Sequence, residues 1–163
     1  AVLKDGSKIE TALVIWAAGI KGNVPAGIDS SLIVRGNRIK VDRHCLVEGF
    51  TNVYAIGDVA FMDSDPNYPK GHPQVAPVAM QHADMLANNL KWVAMKSNAD
   101  RMQDFLYNDK GSMATVGRKL AVVDVPKPKL HFGGFFAWLI WMFLHLMLIL
   151  GVKNRLSVFF NWF

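Results

Sequence analysis

One cysteine, Cys45, occurs in 163 residues. A lone thiol closes no intrachain disulfide and supplies no cysteine-based metal cluster, and such usage belongs to a reducing compartment. Charged residues are also scarce, 19% against 52% apolar, which excludes a disordered or solvating chain. No Gly-x-Gly-x-x-Gly follows a strand pattern, so both glycine-rich turns that would cradle a dinucleotide pyrophosphate are missing. Ala1-Val2-Leu3-Lys4 offers no initiator Met and no cleavable leader, and the expectation is a chain cut from a larger protein. Acidic residues nearly vanish after Asp109. Residues 1–109 hold 11 Lys/Arg and 12 Asp/Glu, whereas residues 110–163 hold 7 and 1, so the tail carries +6 of a net charge of +5. A basic tail suits nucleic acid or anionic lipid. Residues 132–152, 21 positions with His145 as their only ionisable member, decide for lipid and against nucleic acid.

Along the chain, residues 2–9 form two short runs around Asp5-Gly6, a hairpin signal. Ala12 to Gly19 is an apolar run of the length and kind expected of a strand buried on both faces. Residues 20–38 read as loop, Ile39 to Asp42 as a half-buried strand, and Thr51 to Ile56 as a second buried strand that ends in Gly57-Asp58. Beyond the Pro/Asp/Asn-rich loop at 61–74 the period changes to helical. Ala79, Ala83, Leu86, Leu90 and Val93 form the expected inner stripe, with Pro77 in the first turn. Residues 105–107 and 113–116 predict a hairpin, and a run over 120–125 precedes the stiff Pro126-Lys127-Pro128-Lys129.

Thr51-Asn52-Val53-Tyr54-Ala55-Ile56-Gly57-Asp58 has a chemical sense. A strand delivers a glycine that lets backbone approach a ligand, then a carboxylate at the strand's carboxyl end, where ligands of open α/β sheets lie. Gly-Asp after a strand is equally an ordinary turn. Together with Ala17-Ala18-Gly19 upstream, however, the segment resembles the Thr-x4-Tyr-Ala-x-Gly-Asp motif of the two-dinucleotide-binding-domain flavoproteins. Ala76-Pro77-Val78-Ala79-Met80-Gln81 and the Trp/His-rich tail narrow the resemblance to type II NADH:quinone oxidoreductases, whose Ala-Gln-x-Ala-x-Gln motif it matches except at Pro77.

The resemblance implies an α/β fold, the C-terminal part of such a flavoprotein. Residues 1–19 would end the NADH-binding domain, 20–104 would belong to the FAD-binding domain, and 105–163 would form a helical membrane-anchoring C-terminus. It implies FAD as cofactor, with NADH and a quinone as substrates, and a hydride passed to FAD before two electrons reach the quinone, without proton pumping. Gly19, Gly57 and Asp58 would bind FAD. Unpaired amides of Val78 and Ala79, at the positive end of a helix, would steady the reduced ring. Gln81 would define the quinone site, or else face solvent as a helix polar residue. No single side chain is assigned a catalytic role, and a homodimer is allowed.

The five histidines show no metal-ligand spacing, so no metal is expected. His82 reads as an exposed helix residue, with a role beside the quinone as the sharper alternative. Trp138, Trp141 and His145 share a helical stripe that reads as packing against a neighbouring protein face. Taken as one helix, residues 132–152 would reach about 31 Å, enough to span a bilayer. Val152, Leu156, Phe159, Phe160 and Phe163 on one arc of the following helix argue instead for a monotopic, in-plane attachment on the cytoplasmic side. Two rivals stand beside this reading. A sulfide:quinone oxidoreductase-like enzyme would need a reactive cysteine pair that Cys45 does not supply. A non-enzymatic membrane-anchored module would need the chain to be complete.

Overall fold

The computed structural model describes residues 1–95 and 101–162. The chain forms two compact units, Ala1–Tyr107 and Asn108–Phe163.

In the first unit the Asp-Gly hairpin forms as expected, with Val2 bridged to Lys8 and the Gly6 amide donating to the Leu3 carbonyl. The strand expected over 12–19 does not form, and Leu13, Ile15 and Trp16 are 72%, 80% and 87% exposed. A run of this composition is stable as a strand only between two neighbours, and among the described residues none pairs with it. Strand β1 (Ile33–Val34) turns through Gly36 and Asn37, both at positive φ, into antiparallel β2 (Arg38–Lys40). Strand β2 then pairs in parallel with β3 (Ala60–Phe61). The second expected strand, 51–56, contracts to a short antiparallel pairing. Val47 donates to Val53, Ala55 donates to Cys45, and Tyr54 bridges Leu46. Ile39, Val41, Cys45, Val47, Ala55, Ala60 and Met62 fill the core beneath.

Helix α1 (Ala76–Ala94) begins with Pro77 in its first turn, where its missing N–H costs nothing. Its buried stripe is Val78, His82, Met85 and Asn89. The expected stripe of Ala79, Ala83, Leu86, Leu90 and Val93 lies one residue further round, with Leu90 and Val93 exposed. Apolar periodicity misplaced the inner face because two of its four members are polar and make hydrogen bonds there. Asn89 accepts the Gln103 amide and donates to the Gln103 carbonyl, as a strand neighbour would. That exchange anchors residues 101–107, whose Phe105 and Tyr107 join the first core. They are therefore unavailable for the hairpin expected with 113–116.

The second unit is an antiparallel meander of β4 (Ser112–Thr115), β5 (Ala121–Val125) and β6 (Leu130–Gly134), followed by α2 (Phe135–Leu148) and α3 (Val152–Trp162). Ala121 and Val123 point to one face of β5 and are covered by Ala137, Trp138, Met142 and Leu146 of α2. The 21-residue helix expected over 132–152 is corrected. Phe132 pairs with Val123 inside β6, and the chain leaves α2 through extended Ile149 and left-handed Gly151. Fourteen residues give about 21 Å, short of a hydrocarbon core of roughly 30 Å. Among the described residues no helix is long and apolar enough to cross a membrane.

Candidate functional site

Residues 53–56 run extended into a 3-10 turn, Gly57–Val59, that carries the two residues singled out by motif. Gly57 has φ +67, and a Cβ placed on it would stand 3.1 Å from the Cβ of Ala79. The turn is thus pressed onto the start of α1, and glycine is required both for the left-handed backbone and for the close approach. Asp58 follows at the surface. Its carbonyl accepts from Gln74 Nε2 at 2.9 Å, while its carboxylate has no hydrogen-bond partner among the described residues. Gly19 lies in exposed irregular chain with nothing within 4 Å of its side-chain position.

The helix start differs from the sequence expectation in one respect. The Val78 and Ala79 amides both turn to the Val75 carbonyl, at 3.1 and 3.4 Å, so neither is an unpaired donor. Val75 is extended and offers no side-chain cap, and the chain closes its own first turn instead. What remains for an anion is the positive end of the helix. Val78 is buried, Ala79 is half-buried against Gly57, and Gln81 is half-buried one residue before the inner stripe.

Behind the turn lies a group of buried polar side chains. His82 is 1% exposed, which corrects the expectation of a solvent-facing residue, and its Nδ1 accepts the Gly57 amide at 3.1 Å. Its ring stands against Phe105, with centroids 4.1 Å apart, and crosses His72 nearly at right angles at 5.7 Å. His72 donates from Nε2 to Asp65 Oδ2 at 2.9 Å, and both side chains are fully buried. Asp65 also accepts the amides of Asn67 and Tyr107. Burial pushes the Asp65 carboxyl up, but the bonds from His72, Asn67 and Tyr107 outweigh it and hold it below the usual carboxylate range. For His82, burial first, then His72 and Arg38, push the imidazole down to about 4, so it is neutral at physiological pH. Arg38 is buried too. It donates to the Ala60 carbonyl and lies over the Phe61 ring, and burial lowers its pKa against the pull of Asp58.

Sequence reasoning missed Asp65, His72 and Arg38 altogether. The available signal was the i, i+4, i+7 spacing of Val78, His82 and Met85, which places a histidine on the inner face once polar residues are admitted to the stripe. Cys45 adds no chemistry. It is wholly buried, and burial with nearby Asp42 raises its thiol to about 12.

The second unit presents a different surface. Phe136, Ile140, Phe143 and Met147 stand exposed along the outer side of α2, with Phe136 at 76%. Val152, Leu156 and Phe160 do the same on α3. Phe159, expected on this arc, instead packs inward with Val158 and Trp162, and Phe163 lies outside the described residues. Trp138 is buried against the sheet, Trp141 packs on Trp162 at 4.9 Å, and His145 packs on Trp141 at 4.3 Å, so the aromatic stripe serves this unit's own interior. Arg155 turns back to donate to the Met147 and Ile149 carbonyls at the end of α2. It caps a helix instead of facing lipid.

Residues 1–83 match the family model of the pyridine nucleotide-disulphide oxidoreductases, and residues 110–163 match that of the NDH2 C-terminal domain. The type II NADH:quinone oxidoreductase NdhA of Mycobacterium tuberculosis is 38% identical over 98% of this chain and 34% of its own length. The internal alternative NAD(P)H-ubiquinone oxidoreductase A1, mitochondrial, of Arabidopsis thaliana is 30% identical over 99% and 34%. The chain thus spans about a third of the length of the curated relatives it matches. NDH2 from Plasmodium falciparum, solved in complex with NADH, shares the fold with a TM-score of 0.62 at 20% identity, covering 78% of this chain and 39% of that one.

Proposed function

Because this chain belongs to the pyridine nucleotide-disulphide oxidoreductase family, we propose that it is part of a type II NADH:quinone oxidoreductase and contributes one side of its FAD site. The observation that carries the reading is the Gly57–Asp58 turn, seated on the start of α1 with a surface carboxylate that has no hydrogen-bond partner among the described residues. Bound there, FAD would supply the two-electron chemistry between NADH and a quinone.

The chain's own residues have simpler tasks. Asp58 accepts hydrogen bonds from the hydroxyls of the ribityl chain. Gly57 and Ala79, with little or no side chain, leave room for the cofactor to lie against backbone. The N-terminal end of α1, at Val78-Ala79, favours negative charge on the reduced ring through its dipole, and Gln81 lines the side from which quinone arrives. The names of the relatives, NADH:quinone and NAD(P)H-ubiquinone oxidoreductases, support the substrate pair. Gly19 falls in the segment assigned to the end of the NADH-binding domain.

Attachment to the membrane belongs to the same reading. The outer faces of α2 and α3 lie in the plane of the cytoplasmic leaflet, with acyl chains covering Phe136, Phe143 and Phe160 and with Lys153 among the phosphates. A homodimer is an expectation from the resemblance alone, and sedimentation of detergent-solubilised protein tests it. The buried, high-pKa thiol of Cys45 speaks against sulfide chemistry.

The test is direct. Full-length protein carrying this chain should purify yellow and oxidise NADH when quinone is added, and Asp58→Ala should lower its flavin content several-fold. Colourless wild-type protein would overturn the flavoenzyme reading. Unchanged flavin in the Asp58 variant would move the site elsewhere.

A further inference from the structure

We propose that His82 is a positioning residue of the Gly57–Asp58 turn, its neutral imidazole accepting the Gly57 amide on Nδ1 and so fixing the direction in which Asp58 meets FAD. The FAD part of this inference rests on the reading given above.

The argument starts from glycine. At φ +67, Gly57 occupies a region that it shares almost freely with its mirror conformations, so steric limits alone do not select the orientation of the peptide before it. Its amide points inward, is buried, and has Nδ1 of His82 as its partner. A buried N–H without an acceptor is costly, so any flip of this peptide would strand it. The acceptor therefore chooses the state of the turn, and Asp58 is the next residue along.

An imidazole accepts on Nδ1 only when its proton sits on Nε2. The surroundings suit that tautomer. His72 donates from Nε2 to Asp65, and its Nδ1 has no partner among the described residues. The Nε2 of His82 is likewise buried, with no partner among the described residues. The two rings cross at 5.7 Å. With Nδ1 accepting the Gly57 amide, the neutral His82 ring carries its proton on Nε2, and Asp65 holds His72 beside it. Phe105 closes the other side of His82 with an uncharged ring.

A proton added to Nδ1 of His82 would cancel the acceptor and turn it into a donor facing the Gly57 N–H. The charged and titratable groups that act on the ring are His72 and Arg38, which are faced in turn by Asp65 and Asp58. His72 and Arg38 oppose that protonation, and burial opposes it most. The turn is therefore set at neutral pH and released in acid.

Two variants in the full-length protein test this. Asn at position 82 can place Oδ1 near the site of Nδ1 and accept the same amide, whereas Phe fills the volume and accepts nothing. His82→Asn should hold FAD within about threefold of wild type, and His82→Phe should weaken it at least tenfold. On acidification wild type should release flavin as the pH approaches 4, and His82→Asn should show no such step. Equal FAD affinity in wild type and His82→Phe would overturn the proposal. So would a loss in His82→Asn as large as that in His82→Phe. If His82→Phe does not fold, the acid profile decides, and an unchanged release step in His82→Asn overturns the positioning role. Wild-type protein without flavin would instead overturn the flavoenzyme reading, whereas yellow wild type with indifferent variants refutes the positioning role alone.

Discussion

The two units of this chain solve the problem of a small core in opposite ways. The first has little regular structure around its sheet, yet buries Arg38, Asp65, His72, His82 and Asn89 beneath its apolar side chains. Hydrogen bonds compensate these groups nearly throughout, and they reach backbone far away in sequence: Asp65 holds Tyr107, Asn89 holds Gln103, and His82 holds Gly57. Among the described residues the second unit buries only Ala121, Val123, Ala137, Trp138, Met142 and Leu146, and leaves other apolar side chains exposed. Polar cores confer direction, because a misplaced partner leaves an uncompensated group in low dielectric. Apolar surfaces confer adhesion without direction. The proposed aiming of Asp58 needs the first kind, and the proposed membrane contact of α2 and α3 needs the second.

The contrast breaks most sharply at the Asp65–His72 pair. Replacing either one with Leu should cost roughly 3–5 kcal/mol, because the survivor is left buried and unpaired. The double replacement should cost less than the sum of the two. Chemical denaturation of the full-length protein reads both values, and strict additivity would show that the two side chains act independently.

The next effect is one of pH. His82 has an ordinary value of 6.5 and a folded value of about 4, so the unfolded chain binds more protons between those limits. Stability is therefore full above about 6.5 and falls as the pH drops toward 4, by about 3 kcal/mol from this group alone. Asp65, whose folded pKa lies below 3.8, adds a separate loss at lower pH. Melting temperatures recorded across this range should show two windows, and His82→Asn should remove only the upper one.

In the second unit Arg155→Met should uncap the Met147 and Ile149 carbonyls, at a cost of about 1–2 kcal/mol, and shift the melting temperature accordingly. The smallest stability effect is expected at Phe136. Exchange for Ser should leave stability within about 0.5 kcal/mol. It should nevertheless weaken binding to anionic vesicles about tenfold, in line with the loss of one buried aromatic. A variant that melts early but still binds vesicles would place Phe136 in a protein contact.

Much of the arrangement was legible in the residues. The Asp5-Gly6 hairpin and Pro77 in the first helical turn followed from local stereochemistry, which the chain carries wherever it folds. Failures occurred where neighbours decide. The run at 12–19 has the composition of a doubly flanked strand but no flanking strand among the described residues. The inner face of α1 was misjudged by one position because His82 and Asn89 earn their burial through partners at Gly57 and Gln103, 25 and 14 residues away. The 21-residue apolar run proved to be strand, helix and turn, since hydropathy does not distinguish a lipid-facing residue from one under a sheet. Phe159 changed sides for a related reason: Trp162, on the same side of α3, found Trp141.

Cys45 has a practical consequence. Sealed in the core with its thiol raised to about 12, it has almost no thiolate at working pH and no path for a reagent. For this chain the native sequence is already a blank background for labelling. A cysteine introduced at Leu148 or Phe160 would be the one site here to take up a spin label or an environment-sensitive dye. The surroundings of each helix could then be read residue by residue, without first removing this chain's own thiol.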